Sequence, residues 1–153
     1  MTNIEIIRYK QRLDYLFDQI RSFSDNTELQ AQWARYLCIL VAGFTETSVQ
    51  AILNKYVRNK AAPSVANYAF SRLKRFTNPN MEDILTLLGS FDSKWRDNTE
   101  SFAEGKLKEA VDSIMAQRNL IAHGVDTGIS YIRVKDYYES IIKLIDYIEN
   151  TCA

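Results

Sequence analysis

Apolar residues recur along most of the chain at spacings of three, four and seven, which places them on one face of an α-helix. The first such series predicts a helix that ends between Ser22 and Asn26. Asp25, Asn26 or Thr27 can cap a second helix, because their side chains accept hydrogen bonds from exposed backbone amides. Only Gly43 interrupts the helical pattern before Lys60, so the second helix is predicted to have up to about nine turns.

The middle of this second helix has no polar face, because apolar residues occupy all its sides between Tyr36 and Phe44. A helix that is apolar on every side is normally buried on every side. We therefore expect this helix to lie at the centre of a bundle and to be covered all round.

Two short helices are predicted next. Pro63 suits the first turn of a helix that starts within Ala61 to Ser64 and runs to about Phe76. Asn78 to Asn80 breaks that helix, and an apolar series from Met81 to Leu88 predicts another, closed by Gly89. The segment from Phe91 to Ser101 is polar apart from Phe91 and Trp95, and its pattern predicts no element.

Two longer helices complete the chain. A strongly periodic series predicts a helix from about Glu104 to Ala122, with Gly124 placed to end it. A turn region follows to Ile129, and the last helix is predicted over Val134 to Thr151. Ile129 to Val134 is the one weak strand candidate.

These elements predict an all-α fold. We expect an up-and-down helical bundle with a long central helix and additional short helices, formed by one domain over residues 1–153. The chain has only two prolines and five glycines, which agrees with long helices since both residues disfavour helix interiors.

Composition and cysteine placement indicate a cytoplasmic protein. The start of the chain lacks an apolar stretch of signal-peptide length. The longest strongly apolar run, Tyr36 to Phe44, is about half of the roughly 20 residues that span a membrane, so no membrane segment is expected. Cys38 and Cys152 lie far apart, as is typical of unpaired thiols in a reducing compartment.

The formal net charge is zero, but the charge is unevenly distributed. No acidic residue occurs from Thr47 to Met81, and aromatic residues are interleaved with the basic ones there. Such a composition suits an RNA track, although a stretch of this kind is more often a solvated face. Both interpretations apply to the six basic residues of this stretch: Lys55, Arg58, Lys60, Arg72, Lys74 and Arg75.

A charged residue interrupts the apolar face of the predicted helix over Glu104 to Ala122. On an ideal helix, Arg118 falls within about 40° of a line of apolar side chains. A guanidinium there is unfavourable unless it is paired, solvated through a cleft or placed at a subunit interface. The apolar residues on this line are Leu107, Val111, Ile114 and Ile121.

His123, the only histidine, follows Asn119 by four residues, which makes the two side chains neighbours on the helix surface. Arg118 lies about 140° from His123 around an ideal axis, so only its long side chain and a loosened last turn could bring both groups to one cleft.

The segment Arg118-Asn119-Leu120-Ile121-Ala122-His123-Gly124, late in a long helix and followed by one more helix, resembles the signature of the HEPN superfamily. Members of that superfamily are small helical bundles of prokaryotic toxin, abortive-infection and RNA-processing systems. The resemblance implies a metal-independent endoribonuclease without a cofactor, acting as a homodimer whose two motifs face each other across a cleft.

The resemblance also implies roles for particular residues. Arg118 and His123 would act on the RNA, and Asn119 would support them. Some relatives carry a polar or acidic residue in the long preceding helix, and Glu46 is the candidate here. A toxin of this kind would also have an antitoxin or another regulatory protein as its partner.

The chemical requirements of RNA cleavage without a metal are consistent with a dimer. Cleavage of RNA without a metal needs a base for the 2′-hydroxyl, an acid for the leaving oxygen and a cation for the phosphorane. Two copies of His123 and Arg118 would supply all three, and histidine suits both proton transfers near neutrality.

Other interpretations stay open from the sequence. Arg118 could be a buried structural residue paired with Glu46, and His123 could simply hydrogen-bond the last helix carbonyls. The chain could also be a non-catalytic helical adaptor that binds a partner protein or a nucleotide. One histidine and two distant cysteines do not make a conventional zinc site, and no glycine-rich phosphate loop occurs.

Overall fold

The computed structural model describes residues 1–23 and 25–153, and in these ranges it contains seven α-helices and no strand. The prediction of an all-α fold is confirmed. In chain order the helices are α1 (Ile4–Arg21), α2 (Thr27–Lys60), α3 (Pro63–Leu73), α4 (Met81–Phe91), α5 (Ser93–Ala103), α6 (Lys106–Ala122) and α7 (Tyr131–Thr151). Ser24, which falls within the predicted end of the first helix, lies outside the described residues.

The long helix α2 is the centre of the bundle. Asn26 caps it by accepting a hydrogen bond from the Leu29 backbone amide at 3.0 Å. It packs against α1, α3, α6 and α7, and its core residues include Leu37, Val41 and Phe44. The central position is therefore confirmed.

The expectation that α2 is covered all round was wrong. Tyr36 is 47% exposed and Ile39 is 38% exposed, although both belong to the apolar middle of the helix. The described helices of this chain leave that side of α2 open, so it presents apolar surface to the exterior.

By length and composition alone, α2 could also cross a membrane, because it contains an 18-residue window of mean hydropathy 1.5. In the bundle, 61% of that window is buried. A core helix of a folded bundle has these properties as well.

Two other segments differ from their predictions. The polar stretch after Phe91 forms α5, which begins where the Asp92 carboxylate accepts from the Lys94 backbone amide at 2.8 Å. The strand candidate Ile129 to Val134 was wrong, because α7 already begins at Tyr131. Ser130 caps that helix by accepting from the Arg133 backbone amide at 3.2 Å.

Helices α2 and α6 run antiparallel along a shared seam. The Cys38 thiol lies 3.7 Å from the Ile114 carbonyl oxygen, and Arg35 contacts Asp126, which follows the end of α6. Burial raises the pKa of the Cys38 thiol to about 12, so the thiol stays protonated in this packed position. Both cysteines of the chain are free.

Candidate functional site at the end of α6

The C-terminal end of α6 is a Schellman motif that exposes His123. The Gly124 amide donates to the Ile121 carbonyl at 3.0 Å, and the Val125 amide donates to the Leu120 carbonyl at 2.9 Å. Gly124 has a φ of 77°, a conformation that favours glycine because it has no Cβ. The helix therefore ends directly after the motif, and His123 caps it with its side chain in solvent.

Arg118 is half-buried near the same helix end. Its Nη1 donates to the Asn119 side-chain oxygen at 3.2 Å. In the described part of the chain, Arg118 makes no ion pair with a carboxylate. The alternative of a guanidinium sealed against Glu46 is therefore contradicted.

Asn119 lies between the two ionisable groups of the motif. On an ideal helix it is about 100° from Arg118 and about 40° from His123. Its oxygen accepts from the Arg118 guanidinium, and its position on the helix is the one of the two nearer to His123. The structure thus gathers all three residues at one helix end, although no hydrogen bond within the described residues joins Arg118 directly to His123.

Glu46 has a different position. Its Oε2 accepts from the Asn78 backbone amide at 2.6 Å, and the Asp112 carboxylate of α6 accepts from the Met81 amide at 2.8 Å. The two carboxylates together hold the connection between α3 and α4. Since Glu46 and Arg118 lie in opposite directions from the contact between Cys38 and Ile114, they are roughly 18 Å apart along the seam. The structure does not bring Glu46 to the motif.

The six basic residues of the acid-free stretch, which lie in α2, in α3 and directly after α3, are all exposed: Lys55, Arg58, Lys60, Arg72, Lys74 and Arg75. Two of their guanidinium groups lie over aromatic rings, that of Arg58 at 5.6 Å from the Phe70 centroid and that of Arg72 at 5.7 Å from the Tyr68 centroid. Tyr56, by contrast, packs against Trp95 at 4.8 Å between ring centroids. Only some of the aromatic residues interleaved with these basic residues therefore lie on the charged surface.

This basic surface is distant from the motif. The Gln50 side chain donates to the Leu73 and Phe76 carbonyls at 3.1 and 2.8 Å, which fixes the end of α3 beside Gln50. Along the α2 axis Gln50 lies roughly 24 Å from the level of Arg118. The motif and the basic surface are thus separate regions of the molecule.

Sequence reasoning missed Arg35, which lies beside the motif. Its Nη1 is 3.4 Å from the Asp126 carboxylate, in the loop that follows His123. No local pattern connects two residues so far apart in the chain. Several exposed apolar side chains accompany this end of the bundle: Tyr36, Ile39, Leu120 and Val125.

Among the described residues, no group of three or more histidine, cysteine, aspartate or glutamate side chains could hold a metal ion.

In a comparison with known protein families, the model of the family described as RiboL-PSP-HEPN covers residues 4–153 of this chain. No curated protein and no solved structure matches the chain.

Proposed function

The chain belongs to the RiboL-PSP-HEPN family, and on that premise we propose that it is a metal-independent endoribonuclease. Its substrate is an RNA phosphodiester that is attacked by its own 2′-hydroxyl. The bond from phosphorus to the 5′-oxygen breaks, leaving a 2′,3′-cyclic phosphate on one product and a 5′-hydroxyl on the other.

The observation that carries this proposal is the arrangement at the end of α6. A half-buried guanidinium without a carboxylate partner among the described residues is held by Asn119, one turn before the exposed imidazole of His123. His123 can take the proton of the 2′-hydroxyl, and Arg118 can stabilise the negative charge that develops on the phosphorane oxygens. Asn119 positions the guanidinium for that contact.

Protonation of the leaving 5′-oxygen requires an acid, and each chain has a single histidine. HEPN domains generally act as dimers with RNA. A second copy of this chain with its His123 across the cleft supplies the acid, and twofold symmetry makes the two motifs equivalent. The apolar side chains of Leu120 within the motif and of Val125 just after it are exposed, and burial against the second copy would remove them from water.

The basic surface of α2 and α3 supplies phosphate contacts away from the cleavage site in this proposal. Arg58 and Arg72, each held over an aromatic ring, lie near Lys55, Lys60, Lys74 and Arg75 in the chain. RNA binding should therefore weaken as salt increases, because each phosphate contact releases counterions.

A nuclease of this kind would serve in the cytoplasm as a toxin or an antiviral effector. Because unrestrained RNA cleavage harms the host cell, such an effector needs an antitoxin or another regulatory protein that keeps it inactive.

The proposal is tested by incubating the protein with RNA in the presence of a chelator. We expect cleavage that leaves 2′,3′-cyclic phosphate ends. Arg118→Ala and His123→Ala should each reduce the rate by at least about 100-fold, while the circular-dichroism spectrum and the dimer mass stay unchanged.

Arg96→Ala is a suitable control, since Arg96 forms an ion pair with Glu82 at 2.8 Å on the α4 and α5 side of the bundle. This variant should cleave like the unaltered protein. Retained cleavage in both motif variants would contradict the assignment. Absence of RNA degradation at every salt concentration would favour the adaptor interpretation instead.

A further inference from the structure

The proposed function does not involve an ion pair that lies beside the motif. It joins Arg35 of α2 to Asp126, at 3.4 Å between Nη1 and Oδ1. The Arg35 side chain is 31% exposed and that of Asp126 is 84% exposed. The guanidinium is therefore accessible once the carboxylate moves away.

Arg35 and Arg118 lie at nearly the same height in the bundle. The contact between Cys38 and Ile114 marks one level of the antiparallel seam. From that level Arg35 is roughly 4.5 Å away along α2, and Arg118 is roughly 6 Å away along α6 in the same direction.

The two guanidinium-bearing residues also share one side of the seam. On ideal helices Arg35 is rotated by about 60° from Cys38, and Arg118 is rotated by about 40° from Ile114 in the same sense. Because the two helices are antiparallel and face each other, rotations of the same sense about each helix's own axis place both residues on the same side of the seam.

Asp126 is carried by a loop that begins and ends with glycines of positive φ, Gly124 at 77° and Gly128 at 64°. Its carboxylate also accepts from the Gly128 amide at 3.3 Å, so it has a local partner without Arg35. An ion pair that is this exposed adds little to stability, whereas an arginine binds a phosphate through short, charge-assisted hydrogen bonds. A phosphate can therefore replace the carboxylate.

We propose that Arg35 binds an RNA backbone phosphate next to the one that is cleaved, and that Asp126 occupies the guanidinium while RNA is absent. The inference rests on the proposed function in that its ligand is RNA. It adds a second cation to each motif and an acidic side chain that competes with the substrate.

The test is equilibrium binding of a short, single-stranded 2′-O-methyl RNA, which cannot be cleaved because its 2′-oxygen is blocked. Fluorescence anisotropy should show that Arg35→Ala weakens binding about tenfold and lowers the salt slope by about 0.7, the value for one phosphate contact on a single strand. Asp126→Asn should tighten binding several-fold, and this gain should disappear in the Arg35→Ala background.

The pair of Arg96 and Glu82 is a matched control, because the Arg96 side chain is also 31% exposed. Arg96→Ala and Glu82→Gln should leave the RNA affinity unchanged. Unchanged affinity in Arg35→Ala would overturn the inference, as would an equal gain from Asp126→Asn without Arg35, or a failure of the unaltered protein to bind the RNA.

Cleavage assays separate this inference from the proposed function. If the binding results hold but natural RNA is not cleaved, the nuclease proposal fails, whereas the assignment of Arg35 as a ligand of an RNA phosphate in competition with Asp126 stands. If RNA is cleaved but Arg35→Ala binds normally, only the assignment of Arg35 fails.

Discussion

One side-chain amide, that of Asn119, holds the guanidinium of the motif. Arg118 and His123 point about 140° away from each other around a straight axis. The Asn119 oxygen lies 3.2 Å from the Arg118 guanidinium, and Asn119 precedes His123 by one turn. The motif could be found from the sequence because its residues are neighbours in the chain. The hydrogen bond could not, since it depends on the arginine rotamer.

Asn119→Ala should lower the cleavage rate by about 10-fold to 100-fold, because the guanidinium loses the group that positions it. Asn119 is exposed, so the melting temperature should not change. Single-turnover cleavage of RNA measures the effect, and Asn119→Gln, which retains an uncharged amide oxygen as acceptor, should lose less activity. Equal rates in the alanine variant and the unaltered protein would mean that Asn119 has no positioning role.

Glu149 of α7 holds the first residues of the chain. Its carboxylate accepts from the Thr2 amide at 2.9 Å, the Thr2 hydroxyl at 2.9 Å and the Asn3 amide at 2.7 Å. Burial raises the pKa of this carboxyl, but the hydrogen bonds from Thr2 and Asn3 and the charge of the Met1 ammonium together lower it by more, so the folded-state pKa lies below its ordinary value. The carboxylate therefore stabilises the fold above the unfolded-state pKa, and this stabilisation is lost as the pH falls through the folded-state pKa.

Glu149→Gln should lower the free energy of unfolding by about 1–3 kcal/mol at neutral pH, because the amide replaces a charged acceptor of several bonds. The difference from the unaltered protein should shrink in acid, where the native carboxyl is itself protonated. Denaturant unfolding at neutral and at acidic pH measures both effects. Glu139→Gln, at an exposed position in the same helix, is the control and should change the free energy of unfolding at neither pH. A difference that is independent of pH would contradict the account.

At the scale of elements, the sequence predicted the helices whose apolar faces are long and regular. Helix α5 was missed because it buries only Thr99 and Ala103 and is otherwise polar. The strand candidate before Val134 failed because a short apolar run cannot distinguish a strand from a first helical turn. The cap formed by Ser130 was the local signal that could have decided it.

Glu46 shows what periodicity cannot establish. A sequence pattern placed it on α2 but could not identify its partner, the Asn78 amide, which lies in a later loop. Asn78 has a φ of 47°, so this connection has a backbone conformation that the carboxylate helps to fix.

Glu46→Ala should lower the free energy of unfolding by about 1–3 kcal/mol, since a partly buried amide loses its acceptor. Cleavage per folded molecule should stay unchanged because Glu46 is far from Arg118 along the seam. Thermal unfolding and an RNA cleavage assay on the same sample measure the two quantities. Asp112→Ala should behave in the same way. Glu109 is exposed, and Glu109→Ala should alter neither the free energy of unfolding nor the cleavage per folded molecule. A stable Glu46→Ala protein that no longer cleaves RNA would contradict this structural role.

At the scale of the whole molecule, different surfaces have different chemistry. The six basic residues of the acid-free stretch of sequence lie on the last turns of α2 and at the end of α3, which Gln50 holds roughly 24 Å from the level of Arg118. Exposed apolar side chains, including Tyr36 and Leu120, are found at the end that carries the motif. A sequence shows which residues are basic or apolar, but only the packing of α2 against α6 shows which of them share a side.

The central claim is that each cleavage site needs both copies of the chain, and subunit mixing tests it directly. Unaltered protein and His123→Ala protein are unfolded together, refolded in equal amounts and assayed for RNA cleavage in the presence of a chelator. If base and acid come from the two His123 side chains of one dimer, only the fully unaltered dimers cleave, and the rate is about one quarter of that of the unaltered protein. A rate of about one half would mean that each chain works alone, which would contradict the shared site.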